Sequence, residues 1–192
     1  PSYLPAPLAG HQEALQRLTA YLLQCKQEDR TAKLVFVCTH NSHRSQLAEA
    51  WAWYHSLQTG LDVQVYSAGT EATALAAPVV PTLNHAGFCL QCRDDAENPR
   101  WRIMHREAFH TLWSKTLDHP TLPREGFAAI MVCSHADAHC PFVPGSEVRI
   151  ALPFEDPKRA DGSPEQDSAY LATSRQLAAE LHTVFQAASA KR

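Results

Sequence analysis

The apolar run Lys33-Leu-Val-Phe-Val-Cys38, the polar residues 39–45 behind it, and the helical pattern from Ser45 to His55 constrain the fold more than any other stretch. A short continuous apolar run with β-branched residues is what a strand covered on both faces requires, and parallel strands are the ones buried in this way. A strand, a polar loop and a helix in that order form the first half of a βαβ unit, because parallel strands need a helical crossover.

The rest of the chain repeats the alternation. From Leu8 to about Gln27 the pattern is helical, with Leu15, Leu18, Leu22 and Cys25 on one face. Val63-Gln-Val-Tyr66 is a second strand ending at the turn Ser67-Ala-Gly-Thr70, and Pro78 to Ala86 forms a helix stopped by Gly87. Phe88 to Asp95 is a further candidate strand, whereas residues 93–124 yield no clear element. Ala128-Ala-Ile-Met-Val-Cys133 is the clearest later strand, and Val148-Arg-Ile-Ala-Leu152 is a weaker one that leads into Pro153-Phe-Glu-Asp-Pro157. Ser163-Pro-Glu165 opens the last helix, with serine at the N-cap and proline at the first helical position, and that helix runs to about residue 188. Alternating strands and helices predict an α/β fold, a parallel sheet wrapped on both faces.

Composition excludes several classes. A length of 192 residues suits one well-buried domain. A net charge of -3 carries no polyanion footprint, which argues against a nucleic-acid partner. There is no apolar run long enough for a membrane span, and the proline-rich start lacks the pattern of a secretory signal, so the expected location is cytoplasmic. Six cysteines, scattered at 25, 38, 89, 92, 133 and 140, do not read as a disulfide framework; they are expected to be reduced and catalytic, metal-binding or buried.

The loop from Cys38 to Arg44 is where chemistry is expected. In open α/β sheets ligands bind beyond the carboxyl end of a strand, at a helix N-terminus. There the amides of Thr39, His40, Asn41, Ser42 and His43 can form a concave anion site, and the helix dipole favours negative charge. The same field stabilises a thiolate, which makes Cys38 a candidate nucleophile. Arg44 supplies a planar fork for two oxygens of a phosphate-like group, and Ser42 and Ser45 supply hydroxyls. The plainer reading is a core cysteine at a strand end and a surface arginine; the placement between a buried strand and a helix start favours the anion loop.

Val37-Cys-Thr-His-Asn-Ser-His-Arg-Ser-Gln-Leu-Ala-Glu-Ala-Trp51 resembles the low-molecular-weight phosphotyrosine phosphatase superfamily, closest to its thioredoxin-coupled arsenate reductases. Ser67-Ala-Gly-Thr70 resembles the family's second strand end, and Glu155-Asp-Pro157 its Asp-Pro element. The resemblance runs in order from about residue 33 to 185. It implies a four-stranded twisted parallel sheet with helices on both faces, residues 33–192 as catalytic domain and residues 1–32 as an N-terminal helical extension. It also implies that Asp156 is the general acid and that the substrate is a small oxyanion such as arsenate or phosphate, or a phosphotyrosine.

Within the family, phosphatases usually carry proline after the Arg-Ser pair, where this chain has Gln46, as the reductases do. Cys133-Ser-His-Ala-Asp-Ala-His-Cys140 resembles the reductases' redox relay, with six residues of polar loop between two cysteines, and hydrolysis of a phosphoester needs no such pair. The arsenate reductase reading therefore leads. It implies no bound cofactor but a thioredoxin-type dithiol reductant as partner. A tyrosine phosphatase using the same loop is the alternative, and an inactive phosphate- or phosphotyrosine-binding module is the second. His40, where the family usually has glycine, and His43, where reductases often have a second cysteine, are departures, and the bulk at 40 narrows the mouth.

Cys133, His135, His139 and Cys140 can be drawn as a zinc site, but the ligands crowd into eight residues with no second half, so no metal is assigned. Cys89-Leu-Gln-Cys92 has redox spacing in a strand-like setting; an accessory redox role is open, and a bystander role is preferred. His105, His110 and His119 are read as surface or packing residues.

Overall fold

The computed structural model describes residues 4–140 and 142–190. Helix α1 (Gln12–Gln27) leads into strand β1 (Ala32–Cys38), helix α2 (Arg44–Thr59) and strand β2 (Val63–Gly69). Helix α3 (Val79–His85) precedes three short strands, β3 (Cys89–Cys92), β4 (Trp101–His105) and β5 (Ala108–Leu112). Strand β6 (Phe127–Met131), helix α4 (Ser134–His139), strand β7 (Ser146–Ala151) and helix α5 (Gln166–Ala190) complete the chain.

The main sheet has four parallel strands in the order β2-β1-β6-β7. From Leu34 to Val37 strand β1 is buried without interruption, and all five residues of β6 are buried. Unbroken burial means that side chains pointing to either face meet protein, as the apolar run predicts. Phe36, Leu34, Ile130 and Met131 have no exposure, and each such side chain contributes roughly 2 kcal/mol through removal from water.

The three short strands form a separate antiparallel sheet in the order β3-β4-β5, inserted between α3 and β6. Sequence reading finds β3 and misses β4 and β5. Their turn is made by Arg106, with φ of 54°, and Glu107, without the glycine or asparagine that usually marks a two-residue hairpin. Within the hairpin Ile103 and Leu112 are fully buried, so only two residues anchor it from inside.

Two boundaries differ from expectation. Helix α1 begins at Gln12 rather than Leu8, and α5 begins at Gln166, past Ser163-Pro164. Ser163 Oγ accepts from the Glu165 amide and donates to the Ala160 carbonyl, so it closes the turn before the helix, and the first helical bond runs from Ala169 to Glu165. The segment from 134 to 139, expected as a polar loop, is the helix α4.

Helix α1 packs against α5, β1 and β7. Leu18, Leu22 and Cys25 are buried in the same core as β1 and α5. A polar contact completes this packing. His11 Nδ1 lies 2.7 Å from Glu180 Oε2, and His11 Nε2 lies 3.0 Å from the Pro153 carbonyl. Glu180 is fully buried; its other oxygen accepts from the Leu8 amide and from Gln176. The N-terminal segment is thereby tied both to α5 and to the start of the loop that carries Asp156.

Removing one member of a buried polar pair strands the other. His11→Ala is therefore expected to lower the free energy of unfolding by on the order of 3 kcal/mol, measured by urea denaturation. A loss below about 1 kcal/mol would show that residues 4–27 do not share the stability of the sheet.

Candidate active site

Strand β1 ends at Cys38, which is 3% exposed, and α2 begins six residues later at Arg44. Between them the carbonyls of Thr39, His40, Asn41, Ser42 and His43 all accept hydrogen bonds. Among the described residues the amides of His40 to Arg44 donate to no protein acceptor, so the loop turns its oxygens outward and leaves its N–H groups for a ligand. The family's usual glycine position is His40, yet His40 does not take a left-handed backbone. Asn41 does, with φ of 48°, and asparagine is among the residues that tolerate it best.

Asn41 is fully buried and holds the loop by its side chain. Its Oδ1 accepts from the Lys115 amide at 2.8 Å, which sets the direction of the carboxamide. Nδ2 then donates to Ser45 Oγ and Ser67 Oγ, each at 2.8 Å. With its oxygen receiving Asn41, Ser45 is free to donate to Cys38 Sγ at 2.9 Å. Ser67 donates to Glu49 Oε2, and Glu49 Oε1 meets His110 Nε2 at 2.9 Å. Burial pushes the Glu49 carboxyl up, but Lys115, His110 and Ser67 more than offset it and hold it below the ordinary carboxylate range. Burial lowers Lys115, and the facing Glu49 partly restores it.

The end of β2 is as tightly fitted. A Cβ on Gly69 would lie 2.2 Å from the Glu71 carbonyl oxygen and 2.6 Å from that of Thr39. The glycine in Ser67-Ala-Gly-Thr70 is thus required by the approach of the anion loop.

Arg44 behaves differently from the free fork expected. Its Nη1 donates to the Phe154 carbonyl at 2.9 Å and its Nη2 to Asp156 Oδ2 at 2.7 Å, while its buried Nε has no partner. The guanidinium therefore clamps the Pro153–Pro157 loop over the mouth, and its Nε–H is left unpaired among the described residues. Asp156 also caps the 3₁₀ turn Pro157–Ala160 by accepting from the Lys158 amide, so its turn role and its place at the site coexist.

Cys38, Thr39, His40, His43, Arg44, Glu71, His135, Asp156 and Lys158 line one cavity of about 480 Å³. Glu71 and Lys158 were not expected there; nothing in their local sequence marks them, since the fold brings each in from a separate loop. His40 Nε2 lies 3.5 Å from Glu71 Oε2 at the rim. Burial lowers His43, partly opposed by Asp156 and Asp161, and so favours its neutral ring.

Cys133 reaches the same mouth. It is 1% exposed, its Sγ lies 3.4 Å from Thr39 Oγ1, and it caps α4 by accepting from the Ala136 amide at 3.2 Å. Burial alone would raise this thiol, but the Thr39 and Ala136 hydrogen bonds and the charge of Arg44 outweigh it and bring it below its ordinary value. Cys140, half-buried, sits at the opposite end of α4. His135 and His139 stack with ring centroids 4.1 Å apart, and among the described residues no three His, Cys, Asp or Glu side chains converge as metal ligands would. Cys89 and Cys92 are exposed on β3, and an odd spacing along a strand turns them to opposite faces. His110, expected as a surface or packing residue, is a partner of Glu49 instead.

Comparison with known proteins agrees with this geometry. Residues 33–94 match the family described as low molecular weight phosphotyrosine protein phosphatase. An arsenate reductase of Bacillus licheniformis is 32% identical over 71% of this chain and 82% of its own length. One of Halalkalibacterium halodurans is 30% identical over 69% and 79% respectively. A solved structure titled as an arsenate reductase in the phosphate binding state superposes with a TM-score of 0.54 at 17% identity, covering 81% of this chain and 98% of its own. A low molecular weight protein tyrosine phosphatase from T. tengcongensis gives 0.52 at 18% identity, with coverage of 81% and 99%. These two likenesses concern the fold. Taken together with the sequence relatives, they show that the chain belongs to the low-molecular-weight phosphotyrosine phosphatase superfamily of enzymes, in the neighbourhood of the arsenate reductases.

Proposed function

We propose that this enzyme is an arsenate reductase in which Cys38 is the nucleophile and Cys133 and Cys140 form a disulfide relay. The observation that carries this reading is Cys133, a second thiol lowered below its ordinary value and hydrogen-bonded to Thr39 of the very loop that begins at Cys38. Hydrolysis of a phosphoester ends with water and has no use for it. The cavity supports the same choice. Among the described residues its lining contains histidines, two cations and two carboxylates but no phenyl, phenol or indole ring to pack against an aryl group.

In this mechanism the Cys38 thiolate attacks arsenic, while the loop amides and Arg44 hold the remaining oxygens. Asp156, released from Arg44 as the oxyanion takes its place, protonates the departing oxygen, which leaves as water. Cys133 then attacks the Cys38 sulfur. A Cys38–Cys133 disulfide forms, the sulfur–arsenic electron pair stays on arsenic, and arsenite departs. Cys140 attacks Cys133, frees Cys38 and leaves a Cys133–Cys140 disulfide, which an external thioredoxin-type dithiol protein reduces. The cycle as proposed uses no bound cofactor.

Three outcomes follow from these roles. Cys38→Ser should lose at least about a thousandfold in turnover of arsenate and of an aryl phosphate, because a hydroxyl is scarcely ionised at neutral pH. Phosphate should still bind this variant in a calorimeter; retained turnover removes the nucleophile assignment. Asp156→Asn should slow aryl phosphates with poor leaving groups about a hundredfold and good ones less than tenfold, read from kcat/KM across a leaving-group series. Equal losses would leave Asp156 only its turn-capping and clamping contacts. Cys140→Ser, treated with arsenate without reductant, should trap a Cys38–Cys133 disulfide, whereas the unmodified enzyme should accumulate Cys133–Cys140, both assigned by peptide mass mapping. Free thiols at all three positions after arsenate exposure, with brisk aryl phosphate hydrolysis, would overturn the reductase in favour of a phosphatase.

A further inference from the structure

The relay cysteines occupy the two ends of α4, Cys133 at the N-cap and Cys140 at the C-cap. Seven residues along a helix rise about 10 Å. A disulfide requires Cα atoms within roughly 7 Å, so the pair cannot close while α4 is wound. The contacts that keep it wound therefore oppose disulfide formation. One end of α4 is held by Cys133 itself, whose sulfur accepts from the Ala136 amide, a contact that weakens once the thiolate is consumed.

The last turn of α4 is held by one side chain from β7. Arg149 Nη2 contacts the Asp137 carboxylate at 2.6 Å and donates to the Asp137 carbonyl at 2.7 Å, and Arg149 Nε donates to the Cys140 carbonyl at 3.1 Å. Three contacts from a single guanidinium thus satisfy carbonyls in the last turn of α4 and anchor the residue in its middle. The guanidinium is about three-quarters buried, and its backbone is fixed in the sheet opposite Ala129 and by Arg17 on the Arg149 carbonyl. On the exposed face the contacts are fewer: Thr39 Oγ1 lies 3.3 Å from His135 Nδ1, and His139 Nδ1 lies 2.8 Å from the His135 carbonyl within the helix.

We propose that Arg149 is a latch on α4 that sets the reduction potential of the Cys133–Cys140 pair. The inference rests on the relay reading and names the residue that regulates it. Arg149 touches no reacting atom; it is a positioning residue. Its contacts are made in the wound, dithiol form and must break for the sulfurs to meet. They stabilise the reduced state, raise the potential of the couple and prevent the pair from closing before Cys133 has been used. Opening on demand is then driven by loss of the Cys133 cap when that sulfur becomes bonded to Cys38.

The test is a redox titration of the full chain in glutathione buffers. Two thiols and one glutathione disulfide give the Cys133–Cys140 disulfide and two glutathiones, scored by alkylation and peptide mass mapping. Arg149→Met should favour the disulfide about tenfold, a midpoint about 30 mV more negative. Asp137→Asn, which keeps the carbonyl contacts, should shift it in the same direction by less. Arg149→Lys, with fewer donors, should fall between the unmodified enzyme and Arg149→Met. Aryl phosphate hydrolysis by Cys38 should change less than twofold in all three, which shows that the sheet and anion loop are intact. Unchanged midpoints in both Arg149→Met and Asp137→Asn, or shifts toward less negative values, overturn the latch alone. Failure of the unmodified enzyme to form this disulfide at any glutathione ratio overturns the relay and the latch with it.

Discussion

Asn41 holds no charge and touches no solvent, yet the site is built around its carboxamide. The Lys115 amide fixes its oxygen, its two N–H groups then have only Ser45 and Ser67 to meet, and Ser45 is left to point its hydrogen at Cys38. Gln46 closes the ring by donating to the Asn41 carbonyl and to that of Trp113. Every donor in this chain determines the direction of the next. A buried polar group left without its partner costs about 1–3 kcal/mol, so the arrangement does not tolerate a flipped member. The free amides of the loop are a consequence, because a backbone held with its carbonyls outward must present its N–H groups inward.

The same network explains why the inserted antiparallel sheet matters. Lys115 and His110 come from it or from just behind it, and both converge on Glu49 beneath the loop. Lys115 also lies 4.1 Å over the Trp113 ring, which holds the ammonium in a nearly dry setting. From the other side, His11, itself fixed by Glu180, meets the Pro153 carbonyl, and Arg44 holds Phe154 and Asp156. The mouth is therefore braced by segments far apart in sequence, and the N-terminal helix contributes through Pro153 without approaching the cavity.

Cys38, Cys133 and Cys140 differ by what surrounds them. Cys38 receives the Ser45 hydroxyl, Cys133 receives Thr39 and the Ala136 amide, and Cys140 is more open to solvent at the far end of α4. Cys38 and Cys133 are both buried, at 3% and 1% exposure, whereas Cys140 is half-buried, so of the three it is the thiol that the proposed dithiol reductant would reach most readily. Cys25, buried on α1 beside Tyr21 and away from this group, is raised by burial.

Much of this was legible in the residues themselves. The run from Lys33 to Cys38 specified a strand buried on both faces, because no other element buries so short an unbroken apolar stretch between polar flanks. The loop behind it specified an anion site, since a strand end and a helix start leave amides unpaired. Short strands β4 and β5 were not legible, because their turn lacks a glycine signal and only Ile103 and Leu112 are anchored inside. Helix α4 was hidden as well, since its cap is a sulfur and its last turn is held by Arg149 from another strand. Periodicity and turn chemistry are local, so the sequence by itself determined the sheet, the position of Cys38 at a strand end and the spacing of Cys133 and Cys140. The tertiary structure alone decided that Arg44 faces Asp156, that Thr39 meets Cys133, and that Lys115 sets the direction of Asn41. Each of those contacts joins residues more than seventy positions apart, where no pattern along the chain can register them.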